Sequence, residues 1–375
     1  MAHEWKPSDT ARLRLVAQRV HQPRSAGPLE TVTHLTAMQG QDLPGVLWSI
    51  GLRTREATDA DVRAAFDRAE LVRSWPMRGT LHVTTPDDLR MILPLSRHRL
   101  VTSFATRHRE LGITAEDVAS ATDAGVRALS NRPLVRKALL AAFEAAGQPI
   151  GGQRGIHLIA ALAQAGLVCL GPFVGKEQAF VLLDEWAPAV RAPMERDEAI
   201  VELAVRYFTS HGPATAADFA WWANLTLTDV RAAIREAGDR LGAVTDGTTT
   251  WHGSADVLAH ERPLPGARTI HALPGFDENL LGYTDRSAVL AAGYSQLIVP
   301  GNNGMFKATV VVGGRVLGTW TRTEKPSSIQ VKAESFEKLT KSHEAGLARA
   351  IARYGRFKQK QAELTVSNGS GPASR

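Results

Sequence analysis

In the stretch "THLTAMQGQDLPG", residues 33–45, two glutamines, Gln39 and Gln41, flank a single glycine at the end of an apolar run with helical spacing. A carboxamide carries one acceptor oxygen and two N–H donors. Two such groups side by side can hold and aim a water molecule, but neither is a strong base. By residue type alone the pair fits a water-positioning site, and it also fits, more commonly, a polar helix end. Glycine inside a helix costs about 1 kcal/mol relative to alanine, so Gly40 is expected to loosen the helix that presents the amides.

Other chemistry-bearing residues come in small groups. Arg78, Thr80 and His82 alternate in "MRGTLHV", so a strand would place them on the face opposite Leu81 and Val83. That face suits a polar site wall, a wing touching phosphate, or a plain exposed strand. "GFDENLLGYTDRS" clusters Asp277, Glu278, Asn279, Asp285 and Arg286 beside glycines; it is either a site loop or a structural loop pairing with arginines elsewhere. Two basic pairs, Arg97 with Arg99 and Arg107 with Arg109, lie ten residues apart. On one helix face the four would meet a phosphate backbone, and a solvated arginine face is the plainer alternative. Lys307, Arg322 and Lys325 are weaker candidates around a C-terminal hairpin. Trp221 and Trp222 can stack on bases, although adjacent tryptophans in an amphipathic helix usually pack a core.

Several kinds of chemistry are excluded. The twelve histidines are scattered, with no HExxH or Cys/His cluster, so no catalytic metal is expected. "GGQRG" lacks the ending of a phosphate-binding loop, and no serine nucleophile elbow occurs; no cofactor is expected either. The single cysteine, Cys169, excludes an internal disulfide, and its apolar surroundings "GLVCLG" suit a buried thiol. There is no long uncharged apolar run and no signal-peptide pattern. A cytoplasmic protein away from membranes is therefore expected. Net charge is +6, and ten lysines stand against 34 arginines. Arginine forks suit phosphate oxygens, so this balance favours a nucleic-acid partner, although a GC-rich genome enriches arginine as well.

Three segments of the 375 residues share one order of elements that would position these groups: helices with capping residues, then a short β ribbon. They are residues 1–125, carrying the glutamine pair, 126–192, and 193–258. Thr58, Thr215 and Thr226 read as N-caps, and "TDGTT" as a hairpin turn. Helix-turn-helix plus ribbon is the winged-helix pattern, so the expected class is α+β with tandem winged-helix domains. Residues 259–363 read as a β-rich region with a tight hairpin at Gly313 and Gly314 and a final helix, and 364–375 as a flexible tail.

The stretches "MQGQD", "SWPMRGTLHVTTPDDLR", "RYFTSHGPATAADFAWWANL", "LPGFDENLLGYTDRSAVL" and "RVLGTW" together resemble the AlkZ/YcaQ-type bacterial DNA glycosylases, in the same order and over roughly residues 30–322. The resemblance implies a C-shaped, basic DNA-binding channel built from the tandem winged helices. It implies a catalytic pair of glutamines around an aliphatic residue near the end of an early helix, here Gln39 and Gln41, with Gly40 departing from the aliphatic pattern. It also implies a monomeric, monofunctional glycosylase acting on alkylated purines in double-stranded DNA: bulky N7-alkylguanine or N3-alkyladenine adducts, and interstrand crosslinks. Repair and self-resistance to a DNA-alkylating natural product are both compatible roles. The rival readings are a non-catalytic winged-helix transcriptional regulator and a nucleic-acid-binding scaffold whose site has decayed through Gly40.

Overall fold

Threonines followed three residues later by aspartate set where several helices begin. In the computed structural model, which describes residues 5–368, Thr58, Thr114 and Thr215 each form a capping box with the aspartate three positions on. The chain opens with α1 (Thr10–Ala17), α2 (Pro28–Leu35), a short strand β1 (Ala37–Gln39), α3 (Leu43–Arg53), α4 (Asp59–Asp67) and a hairpin of β2 (Val72–Met77) and β3 (Thr80–Thr84). Next come α5 (Pro86–Glu110), α6 (Ala115–Leu129), α7 (Arg136–Ala145), α8 (Arg154–Gln164), the hairpin β4 (Val168–Val174) and β5 (Glu177–Leu182), and the single turn α9 (Leu183–Trp186). A third set holds α10 (Arg196–His211), α11 (Ala216–Ala223), α12 (Leu227–Ala237) and the ribbon β6 (Gly242–Thr245) and β7 (Thr250–Gly253). The C-terminal part has α13 (Ala255–Leu258), β8 (Ile270–Leu273), α14 (Glu278–Leu281), α15 (Ser295–Ile298), β9 (Thr309–Val312), β10 (Arg315–Glu324), β11 (Ser328–Ser335), α16 (Lys341–Phe357) and β12 (Gln361–Asn368).

Two of the ribbons are not separate. One sheet runs β1-β3-β2-β4-β5 and joins the first hairpin to the second where Arg73 faces Leu170. A second sheet runs β12-β11-β10-β9-β8. Helix α3 packs against the C-terminal part: Trp48 lies 5.2 Å from both Tyr354 and Phe357 of α16, and its ring nitrogen donates to the Ala272 carbonyl of β8 at 3.0 Å. Such aromatic contacts add to large burial, so the two ends of the chain form one body. A second core gathers Tyr207, Phe208, Phe219 and Trp222 and takes in Met77, Ile92 and Tyr283. A third fills α6 to α8 and β4–β5 around Phe143, Leu158, Leu162 and Phe180.

Four expectations are corrected. The helix read through "MQGQD" stops at Leu35: Thr36 turns with φ +67°, and residues 37–39 pair with β3 in the register Ala37↔Thr84, Met38↔Val83, Gln39↔His82. Ala37 and Met38 are fully buried there, so tertiary pairing overrides the helical spacing. Gly40 therefore carries no helix penalty. Arg97, Arg99, Arg107 and Arg109 all lie on α5, but each two-residue step turns about 200° around a helix, so they spread around it instead of sharing one face. The division at 125/126 falls inside α6. Residues 364–368 belong to β12, paired in parallel with β11, instead of a tail; residues 369–375 of that expected tail lie outside the described residues.

Candidate active site

The antiparallel register of β1 with β3 delivers Gln39 beside His82, and the Gly40 N–H then donates to the Leu81 carbonyl at 2.7 Å. Two residues apart in extended chain, Gln39 and Gln41 project to the same side, and both line one open cavity of about 1160 Å³. Gly40 faces the other way. A Cβ built there would meet Arg73 Cδ, the His82 carbonyl carbon and Val83 Cγ2, each at 3.4 Å. The glycine does not enlarge the cavity.

The Gln39 side chain is oriented by its neighbours. Arg78 Nη2 lies 3.2 Å and Thr80 Oγ1 3.3 Å from Gln39 Oε1. Arginine only donates, so the atom facing it is the oxygen, and the Gln39 NH2 is left without a partner among the described residues. Gln41 Oε1 accepts only a long bond, 3.4 Å, from the Leu81 N–H. Arg78 Nη2 also approaches His82 Nε2 at 3.0 Å. That nitrogen must accept, which leaves the His82 proton on Nδ1, donating to the Thr80 carbonyl at 2.9 Å. Burial and the nearby Arg78 push His82 down to about 3, so it is neutral. Burial also lowers Arg78 to about 10, against the pull of Glu278, and it stays charged at neutral pH.

Glu278, at the start of α14, holds the glutamine strand from beneath. Its Oε1 accepts the Gln39 backbone N–H at 2.7 Å, and its Oε2 accepts Trp222 Nε1 at 3.1 Å and His211 Nε2 at 3.3 Å. Burial alone would raise this carboxyl, yet His211, Arg78 and the Gln39 N–H together hold it at about 2. Trp222 is core, whereas Trp221 is 36% exposed on the cavity wall with the Arg78 guanidinium 4.4 Å from its ring centre. Phe276, Phe306, Met305 and Leu227 complete an apolar wall. Three wall residues, Arg78, Asn224 and Phe276, have φ of +55°, +58° and +60°. Strained backbone of this kind gathers at functional sites.

Of the candidates named from sequence, the fold brings Gln39, Gln41, Arg78, Thr80 and Arg99 to the cavity, with His82 directly behind. It does not bring Asp277 or Asn279 there. Asp277 is 4% exposed and spent on Arg53, at 2.9 Å to both guanidinium nitrogens, and on Ser49 at 2.7 Å. Asn279 is fully buried. Neither side chain is open to the cavity or the surface. Arg97 is exposed on α5 outside the lining, Arg107 is paired with Glu110 and Gln153, and Arg109 donates to Thr106. Lys307 is exposed just past the wall residue Phe306. Arg322 lies 3.8 Å from Asp42 and 5.8 Å from the Trp320 ring centre, outside the cavity lining. In the sequence Glu278 stands out only as part of an acidic loop; its partner Gln39 is 239 positions away, and no spacing rule connects them. Among the described residues no group of three or more His, Cys, Asp or Glu is placed to hold a metal ion.

Residues 32–357 match the model of a family described as DNA glycosylase AlkZ-like. The interstrand DNA cross-link repair glycosylase of Streptomyces sahachiroi is 28% identical over 305 residues, covering 78% of this chain and 81% of that protein. The solved structure of the Streptomyces sahachiroi DNA glycosylase AlkZ aligns with a TM-score of 0.79 at 22% identity, over 98% of this chain and 100% of that one.

Proposed function

The chain belongs to the AlkZ-like DNA glycosylase family, and from that premise we propose that it hydrolyses the N-glycosidic bond of purines alkylated at guanine N7 or adenine N3 in double-stranded DNA. The observation that carries this reading is that Gln39 and Gln41 share one cavity wall, with Arg78 and Thr80 fixing the first amide's orientation. Alkylation leaves the base cationic and already a good leaving group. The water oxygen attacks C1′, the C1′–N bond electrons neutralise the base, and the water proton passes to solvent. The enzyme must then only place the water, and positioning supplies several kcal/mol of the barrier. Gln41 Oε1, with one long donor, accepts a water hydrogen; the unpartnered Gln39 NH2 donates to the water oxygen and aims its remaining lone pair. Neutral amides are slow on undamaged purines, which favours selectivity.

A cavity of about 1160 Å³ walled by Trp221, Phe276, Phe306 and Met305 supports bulky adducts over methyl groups. Among the described residues its lining includes no lysine, which supports hydrolysis without a Schiff-base lyase step. The three helix-and-ribbon sets are read as tandem winged helices around a C-shaped channel for the duplex, with Arg99 at the mouth on the phosphate side. The enzyme works as a monomer in the bacterial cytoplasm. The relative named for interstrand cross-link repair extends the proposed substrates to crosslinks, in general repair or in self-resistance to an alkylating natural product.

Duplex DNA carrying N7-methylguanine or a bulkier N7 adduct tests this directly. The expected result is abasic-site formation that disappears in the Gln39→Ala/Gln41→Ala double variant. Undiminished excision by that variant overturns the assigned roles. Absence of excision from every alkylated duplex, together with nanomolar binding to one undamaged sequence, identifies a regulator instead.

A further inference from the structure

Gly40 separates the two glutamines, yet its own backbone does not require a glycine, since its φ lies outside the left-handed region. What surrounds it is distinctive. Arg73 Nε donates to the Gly40 carbonyl at 2.7 Å, and Arg73 Nη1 donates to Gln178 Oε1 at 2.8 Å. Gln178 is buried and anchored in turn by its own NH2 on the Gly171 carbonyl at 3.2 Å. Arg73 is also the residue whose backbone joins the first hairpin to the second, opposite Leu170. Its side chain reaches across the strand between, so that Cδ stands 3.4 Å from where a Cβ of residue 40 would be. A methyl group fits that distance; a branched side chain meets the arginine stem and Val83.

We propose that Arg73 is a positioning residue of this site: its guanidinium clamps the Gly40 carbonyl, its stem fills the space beside that residue, and glycine at 40 with arginine at 73 works as one unit. The peptide between Gln39 and Gln41 is the hinge on which the aim of Gln41 turns, because Gln41 itself has only the long contact to Leu81. A short bond from a charged donor is the stronger kind, and it holds that hinge from the side away from the cavity. The second hairpin thereby takes part in the site through Gln178 without reaching the cavity.

The inference rests on Gln39 and Gln41 being the reacting pair, so the test reads both. Single-turnover excision of an N7-alkylguanine from duplex DNA, at saturating enzyme, is compared with the Kd for the same duplex. Arg73→Met is expected to lower the rate about tenfold or more while Kd stays within about twofold. Gln178→Leu shifts the rate in the same direction by less, and Arg73→Lys recovers only part, because one ammonium cannot serve Gly40 and Gln178 together. Gly40→Val slows the wild type but costs less in an Arg73→Ala background, where the stem is gone. Wild-type rates in Arg73→Met and Gln178→Leu overturn the clamp, and so do strictly additive losses for Gly40→Val and Arg73→Ala or losses appearing equally in Kd. If the Gln39→Ala/Gln41→Ala variant keeps full activity, the reacting pair itself is wrong and the clamp falls with it.

Discussion

Arg78 sits in left-handed backbone with φ +55°, and from there its guanidinium reaches Gln39, His82 and the Leu281 carbonyl while lying on Trp221. Arg78→Met keeps length and apolar contact but removes every donor, so Gln39 is free to flip. The single-turnover rate should fall about ten- to hundredfold, with only a small change in duplex affinity; an unchanged rate would remove Arg78 from the site. Glu278 is a different kind of residue, since it touches only the frame of the site. Three N–H donors converge on its carboxylate, and in Glu278→Gln one of them must face an NH2. That change should cost roughly 1–3 kcal/mol, read from the urea midpoint. Its carboxyl lies at about 2 against an ordinary 4.5, a depressed value. Its contribution is therefore complete above about pH 4.5 and is lost as pH falls through 2. The wild type should lose stability across that window more steeply than Glu278→Gln, and parallel curves would deny the carboxylate its role.

At the scale of elements, capping separates what local sequence encodes from what it does not. Thr58, Thr215 and Thr226 were legible as caps because the bond they make is three residues long, and all three accept that N–H in the structure. The Gly313–Gly314 turn was legible for the same reason, joining β9 to β10. β1 was not, because three residues carry no measurable alternation and their partners in β3 lie more than 40 positions away. Gln39 stands out in the sequence by its chemistry and its flanking motif, while the apolar spacing before it is that of a helix and not of the strand that presents it. Asp218 combines both levels: it closes the capping box of α11, yet its Oδ1 also accepts the Thr284 and Asp285 N–H groups, at 2.9 and 3.3 Å, and Arg14 stands 3.8 Å from Oδ2. Thr215→Ala should cost about 1 kcal/mol, an ordinary cap loss. Asp218→Ala should cost about 3–5 kcal/mol, because it leaves Arg14 buried beside an empty partner. Equal denaturation midpoints for the two variants would reduce Asp218 to a simple cap.

Across the whole molecule, repetition of helices and ribbon was visible in the chain, but the seams that fuse the repeats were not, because they are made by residues far apart in sequence. Several histidines are buried between packed elements, within the first segment as well as across a seam. His34 of α2 bonds the Ala17 carbonyl of α1, His82 backs the glutamine strand, and His271 lies in β8 beside the first segment's His21. Burial, helped by Arg19 at His34, Arg78 at His82 and His21 at His271, pushes each down to about 3 from 6.5. The folded values are depressed, so the unfolded chain binds protons first as pH drops. The stability these sites contribute is complete above about pH 6.5 and is lost progressively below it. By pH 5 each removes roughly 2 kcal/mol, well before most carboxylates titrate. The protein should therefore show a urea midpoint that is flat above pH 7 and falls steeply from 6.5 to 5. His271→Leu isolates one share of that fall, since His271 Nε2 is buried without a hydrogen-bond partner and an imidazolium there would carry an unsolvated N–H. In that variant the loss between pH 7 and 5 should shrink by roughly 2 kcal/mol; an identical pH profile would mean that His271 takes up its proton without the fold yielding.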